Sequence, residues 1–117
     1  MLPRNYRLSR QQDLLPVLRK GERYELSSLR LFLKDNGGTR SRFGFLLKEK
    51  VLPGAVSRNR WKRLMRNIIW ANRKKIAIGQ DVIVMLASKP KHELEYVKWE
   101  PQVLTLLRSA GMLKNHV

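Results

Sequence analysis

The twenty residues Val56-Ser57-Arg58-Asn59-Arg60-Trp61-Lys62-Arg63-Leu64-Met65-Arg66-Asn67-Ile68-Ile69-Trp70-Ala71-Asn72-Arg73-Lys74-Lys75 hold eight of the chain's 25 Lys and Arg and none of its nine Asp and Glu. Advancing about 100° per residue, the step of a helical turn, gathers Trp61, Leu64, Met65, Ile68 and Ala71 within one arc of roughly 120°. Arg58, Lys62, Arg66 and Arg73 stack on the neighbouring arc, flanked by Asn59 and Arg63. The stretch predicts a helix with one core face and one cationic face, with Ser57 as N-cap because its hydroxyl can accept from an orphan first-turn amide. Ile69 falls at the edge of the core arc and Trp70 among the cations.

A solvated helix face normally interleaves charges, since Glu and Lys four residues apart stabilise each other by a few tenths of a kcal/mol. No acid compensates here, and like charges left together destabilise the folded state by mutual repulsion. A polyanionic partner removes that repulsion. The whole chain agrees: net charge is +16 over 117 residues, with a pI near 11.2. At 43% hydrophobic residues it is expected to fold as one domain over residues 1–117 and not as a basic tail.

Membrane is the competing polyanion. No apolar run approaches the roughly 18 residues of a spanning helix. Arg4, Arg7 and Arg10 near the start precede no apolar signal core, so the expected compartment is the cytoplasm. Cysteine is absent, which removes disulfides and thiolate metal sites. The two histidines, His92 and His116, have no second ligand at helical spacing, and no protein metal site is expected from them.

Working outward, Ser9-Arg10-Gln11-Gln12 reads as a capping box opening a helix from about Arg10 to Lys20, with Asp13 in its first turn, Gly21 at its stop and Pro16 expected to kink or shorten it. Leu29, Leu31 and Leu33 alternate with Arg30, Phe32 and Lys34, which predicts a strand within Tyr24–Lys34. Asp35-Asn36-Gly37-Gly38 supplies a turn, and Arg42–Lys48 a second strand, with Phe43, Phe45 and Leu47 opposite Gly44, Leu46 and Lys48. These two strands are expected to pair as a hairpin. A short extra strand near Tyr24 is left open.

After the basic helix, Gly79-Gln80 breaks the chain before Asp81–Ala87, whose continuous apolar run predicts a central strand covered on both faces. A last helix is expected from near Pro101, a residue suited to a first helical turn, to Gly111. The order αββαβα gives an α+β fold, a single layer of mixed sheet with helices packed against it.

Ala55-Val56-Ser57-Arg58-Asn59-Arg60-Trp61-Lys62-Arg63-Leu64-Met65-Arg66 resembles the arginine-asparagine-arginine signature of the bacterial ribonuclease P protein component. Further matches run in order along nearly the whole chain: Leu2-Pro3, Asp13, Lys20-Gly21, Arg42-Phe43-Gly44-Phe45, Asp81-Val82-Ile83-Val84 and a leucine-rich final helix. The resemblance implies the ribonuclease P protein-like fold, related to the ribosomal protein domain 2-like fold, with a left-handed βαβ crossover. It further implies a subunit that binds a catalytic RNA and the 5′ leader of precursor tRNA and promotes removal of that leader. Mg²⁺ is then held mainly by the RNA subunit, and neither a membrane nor an obligate protein partner is expected.

Carried over by position, Arg58, Asn59, Arg60, Lys62, Arg63 and Arg66 are the candidates for the catalytic RNA. The wheel puts Arg60 nearer the apolar arc, so it either reaches RNA from the first turn or braces the preceding loop. Leu14, Leu18, Phe32, Lys48, Lys50 and Lys89 are the leader candidates, in a cleft where aromatic faces stack on bases and cations track phosphates. Leu14 and Leu18 stand where the family usually has aromatics, which leaves stacking mainly to Phe32; as two leucines four apart they also read as a core stripe. Trp70 is left between stacking on RNA and packing on the final helix, whereas Trp61 reads as core. Glu49 replaces a commonly basic residue, and the loop before the basic helix is one residue longer than the common pattern.

A nuclease acting through its own side chains would need clustered carboxylates or an acid and base pair. The nine acids are scattered, and no P-loop, zinc motif or nucleophile triad is present. Catalysis is therefore expected from the RNA, with no catalytic residue in the protein. A structural ribosomal-RNA-binding or ribosome-assembly protein is the alternative, and an architectural DNA-binding protein a third class.

Overall fold

A computed structural model describes residues 2–114, so His116 lies outside the described residues. Four strands, β1 (Glu22–Leu26), β2 (Leu29–Asp35), β3 (Arg42–Leu47) and β4 (Gln80–Leu86), form one sheet in the order β1-β2-β4-β3. Three helices accompany them: α1 (Gln11–Lys20), α2 (Gly54–Ala71) and α3 (Tyr96–Ser109). Single 3₁₀ turns at Arg4–Tyr6 and Arg73–Lys75 complete the described elements. The fold is α+β with a mixed sheet, and the strand near Tyr24 is real.

The sheet sorts its side chains by alternation. Leu29, Leu31, Leu33, Phe43, Phe45, Val82, Val84 and Leu86 turn to the face covered by α2 and α3, where Trp61 and Trp99 meet edge to face at 6.4 Å. Phe32 and Ile83 turn to the other face and join Val17 of α1 and Leu8 in a smaller core. Both periodicities read from sequence hold, down to the opposite orientation of Phe32.

The predicted pairing of 29–34 with 42–48 does not. β4 lies between them, antiparallel to β2 and parallel to β3. A strand apolar on both faces is most stable with neighbours on both edges, and Val82, Ile83 and Val84 obtain this only in the middle. The hairpin forms instead between β1 and β2 around Ser27, a positive-φ residue (56°). The 36–41 loop then crosses the end of β4: Asn36 N–H donates to the Gly79 carbonyl (2.9 Å), and the Ser41 hydroxyl donates to the Ala77 carbonyl (2.8 Å). α2 is the crossover between the adjacent parallel strands β3 and β4.

Helix ends also differ from the sequence signals. α2 opens at Gly54, with Pro53 at the N-cap, so Ser57 lies inside the first turn and caps nothing. Arg73, Lys74 and Lys75 fall in the 3₁₀ turn beyond it, and Ala71 is exposed. α1 opens at Gln11 with Arg10 at the N-cap and no side-chain cap, which removes Ser9 from that role. α3 starts at Tyr96, five residues before Pro101. Burial of Trp99 and the bonds from Tyr96 Oη (2.6 Å) and Asn72 Nδ2 (2.9 Å) to Glu100 outweigh the proline signal. Pro16 and Pro101 both sit inside helices, where each gives up one bond to a first-turn residue, Gln12 or Val97, that is itself exposed. α1 remains continuous through Pro16.

Candidate nucleic-acid interface

Helix spacing puts Arg58, Lys62 and Arg66 on one side of α2 at successive turns, all half-buried, with Asn59 and Arg63 exposed beside them. Trp61, Met65, Ile68 and Ile69 are buried on the other side. Arg60 is exposed in the second turn and not in the first, where one of its two expected roles put it. Among the described residues, the ion pairs lie elsewhere: Glu25 with Arg23 and Arg30, Asp13 and Asp81 with Arg42, and Glu93 and Glu95 with Lys98. The basic face of α2 is left without counter-charge.

Lys62 and Arg66 line a crevice of about 150 Å³ with Arg7, Leu8, Ser9, Leu14 and the β3 segment Phe43 to Leu46. Burial pushes the Arg66 guanidinium below its ordinary pKa, and the charges of Arg7 and Arg63 push it the same way. Its Nε is buried with no hydrogen-bond partner. A desolvated donor of this kind costs free energy until an acceptor arrives, and a phosphate oxygen is the acceptor a guanidinium fits best.

The wall of this crevice is a sheet edge. In a parallel pair, alternate residues bond to the neighbouring strand. Lys48 N–H reaches the Leu86 carbonyl (3.0 Å), so the backbone N–H and C=O groups of Phe43, Phe45 and Leu47 face the open edge while their side chains stay toward the core. The Phe43 carbonyl accepts from Leu8 N–H at 2.8 Å, and the Leu47 carbonyl lies 3.5 Å from the Arg58 guanidinium. Arg58 is thus steered along the strand edge.

Around β3, the surface continues onto the face carrying α1. Leu14 and Leu18 pack, partly buried, against the small core of Leu8, Val17, Phe32 and Ile83. Phe32 is only 7% exposed, so packing under α1 occupies the ring that was expected to stack on bases. Gly44 permits this approach: a Cβ there would stand 2.6 Å from the Leu8 carbonyl oxygen and 2.9 Å from Leu14 Cδ2. Beyond the helix, half-buried Leu46 and Met85 continue the apolar floor, with Arg30 half-buried and Lys48 exposed. Arg23 first, then Arg30 and Lys48, hold the Glu25 carboxyl below its ordinary pKa, so this end of the face is cationic too. Lys50, in a left-handed conformation (φ 65°), and Lys89 meet at a shallow hollow with Val51, Leu52, Pro53 and Pro90.

Arg7, Arg30, Leu46 and Met85 were not singled out from sequence. The strand alternation already put Arg30 with Phe32 and Leu46 with Lys48, which was the available signal. Arg7 carried none, because only the β3 pairing brings the N-terminal segment to Arg66. Trp70 packs edge to face on Tyr6 (5.5 Å), half-buried against the main core.

Comparison with known proteins decides the family. The family model described as Ribonuclease P matches residues 2–111. This chain belongs to the ribonuclease P protein family. The ribonuclease P protein component of Pseudanabaena is 37% identical over 97 residues, covering 80% of this chain and 84% of its own. That of Natranaerobius thermophilus is 32% identical over 116 residues, covering 99% and 94%. The Thermotoga maritima ribonuclease P protein superposes with a TM-score of 0.76 at 26% identity, over 88% of this chain and 96% of that one. The Staphylococcus aureus protein, at 22% identity and a TM-score of 0.81 over 93% and 98%, shares the fold. Nothing in these comparisons favours the ribosomal or DNA-binding readings.

No three His, Cys, Asp or Glu side chains come together among the described residues. No helix there is long and apolar enough to cross a membrane.

Proposed function

We propose that this chain is the protein subunit of ribonuclease P, binding the catalytic RNA through Arg58, Asn59, Arg60, Lys62, Arg63 and Arg66 and the 5′ leader of precursor tRNA across the α1 face. The observation that carries the reading is the unpaired cationic row of α2, continuous around the β3 edge with an apolar, cation-rimmed groove. Neutralising phosphates on the row offsets repulsion between two RNA polyanions and releases their counterions. The groove adds contacts that only a precursor, with its leader, can make. In it, Leu14, Leu18, Leu46 and Met85 supply apolar contact, Phe32 supports them from below, and Arg30 and Lys48 follow the backbone, with Lys50 and Lys89 further along.

The protein contributes charge and grip, not a nucleophile. Mg²⁺ is assigned to the RNA, since the described side chains offer it no cradle, and the working compartment is the cytoplasm. Reconstitution tests this. Precursor tRNA cleavage by the RNA subunit at low Mg²⁺ and near-physiological salt should depend on added protein, and protein-independent rates would reject the proposal.

A further inference from the structure

Beyond Arg66, the last turn of α2 opens onto a second cavity, of about 190 Å³, walled by the N-terminal segment, the 39–41 loop and the chain leading into β4. Leu2, Phe43, Ile69 and Ile76 form its buried floor. Tyr6 and Trp70 stand in it at 69° to one another. Each ring carries its own cation: the Arg40 guanidinium lies 4.9 Å from the centre of Tyr6, and that of Arg73 lies 4.2 Å from the centre of Trp70. Both distances are within cation–π range. Arg73 is fixed there by donating to the Trp70 carbonyl at 2.8 Å. Among the described residues no acid lines the cavity, and Lys74 and Lys75 follow Arg73 directly.

We propose that this cavity receives a single unpaired nucleobase of RNA, with its phosphate held by Arg40 and Arg73. Three features select that occupant. The volume falls below the roughly 300–1,000 Å³ of drug-sized pockets, so it suits one ring system. Aromatic and guanidinium planes are the surfaces on which extruded RNA bases stack. The surrounding charge is uniformly positive, which fits a nucleotide and not an apolar peptide. The site is separate from both the α2 row and the α1 groove, and it can be tested without any partner RNA. Its failure would leave the ribonuclease P reading untouched.

Trp61 and Trp99 are 0% exposed, so Trp70 is the tryptophan whose emission a bound base can quench. Titrating the full-length protein with AMP and GMP should give saturable quenching in the millimolar range, with ribose 5-phosphate and inorganic phosphate giving none. Trp70→Phe should abolish the signal. Arg40→Gln and Arg73→Gln, both at exposed positions, should each weaken binding several-fold at an unchanged melting temperature. The proposal is overturned by quenching that persists in W70F, or by an equal response to inorganic phosphate, which would mark a plain anion site. Affinity unchanged in both arginine variants would also overturn it. So would a concentration-dependent dimer dissolved by W70F, which would give the cavity to a second copy of the chain.

Discussion

Two half-buried arginines flank β3, and the protein treats them oppositely. Arg42, at the start of the strand, grips Asp81 with Nε and Nη2 (2.9 and 2.8 Å) and has Asp13 of α1 at 3.9 Å. The hydrogen bond to Asp81 raises its pKa, whereas burial and like charges lower that of Arg66 across the strand edge. Asp81 also accepts from Asn36 Nδ2 at 3.0 Å. Acids are scarce in this chain, and Asp13 and Asp81 are used to hold the sheet, its turn and α1 in place. The α2 row gets none. Arg42, with its partner already in the chain, belongs to the fold, and Arg66, with none, waits for a partner outside it.

The contrast breaks most visibly at Asp81. Asp81→Ala should cost about 2–3 kcal/mol in denaturant unfolding, below the roughly 3–5 of a fully buried pair because solvent reaches Arg42. RNA affinity below the melting range should change by no more than about twofold, and a large loss would deny the division between structural and binding arginines. Gly44→Ala should cost about 1–3 kcal/mol, the scale of overpacking, since the new methyl meets backbone at Leu8. By lifting α1 it should also weaken precursor tRNA binding more than mature tRNA binding; equal losses would remove the groove from leader recognition.

A smaller effect is set by pH. Burial raises the Asp81 pKa, but hydrogen bonds from Arg42 and Asn36 outweigh it and leave the carboxyl below its ordinary value of 3.8. A carboxyl depressed on folding contributes stability above its unfolded pKa and loses it as pH falls through the folded one. Wild-type stability should therefore drop more than that of Asp81→Asn on acidification from pH 5 to below 3.8. Parallel curves would discount the pair. Smallest of all is Arg66→Met, which keeps the aliphatic stem and removes the uncompensated charge. Its melting temperature should match or exceed the wild type, and a loss above about 1 kcal/mol would show that Arg66 serves the fold.

The sequence was legible where one face of an element decides its environment. The α2 row, the two-sided apolar β4 and the inverted Phe32 all follow from periodicity. Partner choice was not. Local alternation says that Leu29–Leu33 and Phe43–Leu47 are strands, but the slot between them went to β4 through contacts some 50 residues away in sequence. Pro101 misplaced the start of α3 because the helix interior tolerates a proline where the bond given up is to an exposed first-turn residue, Val97. Of the candidate site, Arg58, Lys62 and Arg66 were readable as a row. The meeting of Arg66 with Arg7 was not, since it depends on one backbone bond from Leu8 to Phe43. Phe32 was given the right face but not its burial, because alternation does not reveal which helix lies above a strand.

The most direct test is the salt dependence of RNA binding by the wild type and by the combined Arg58→Gln, Lys62→Gln, Arg66→Gln protein. Each phosphate neutralised contributes about 0.9 to the slope of log affinity against log salt on duplex and about 0.7 on single strands. The account predicts a slope shallower by about 2–3 in the variant, with thermal stability retained. An unchanged slope, or a variant that loses its fold, would contradict it.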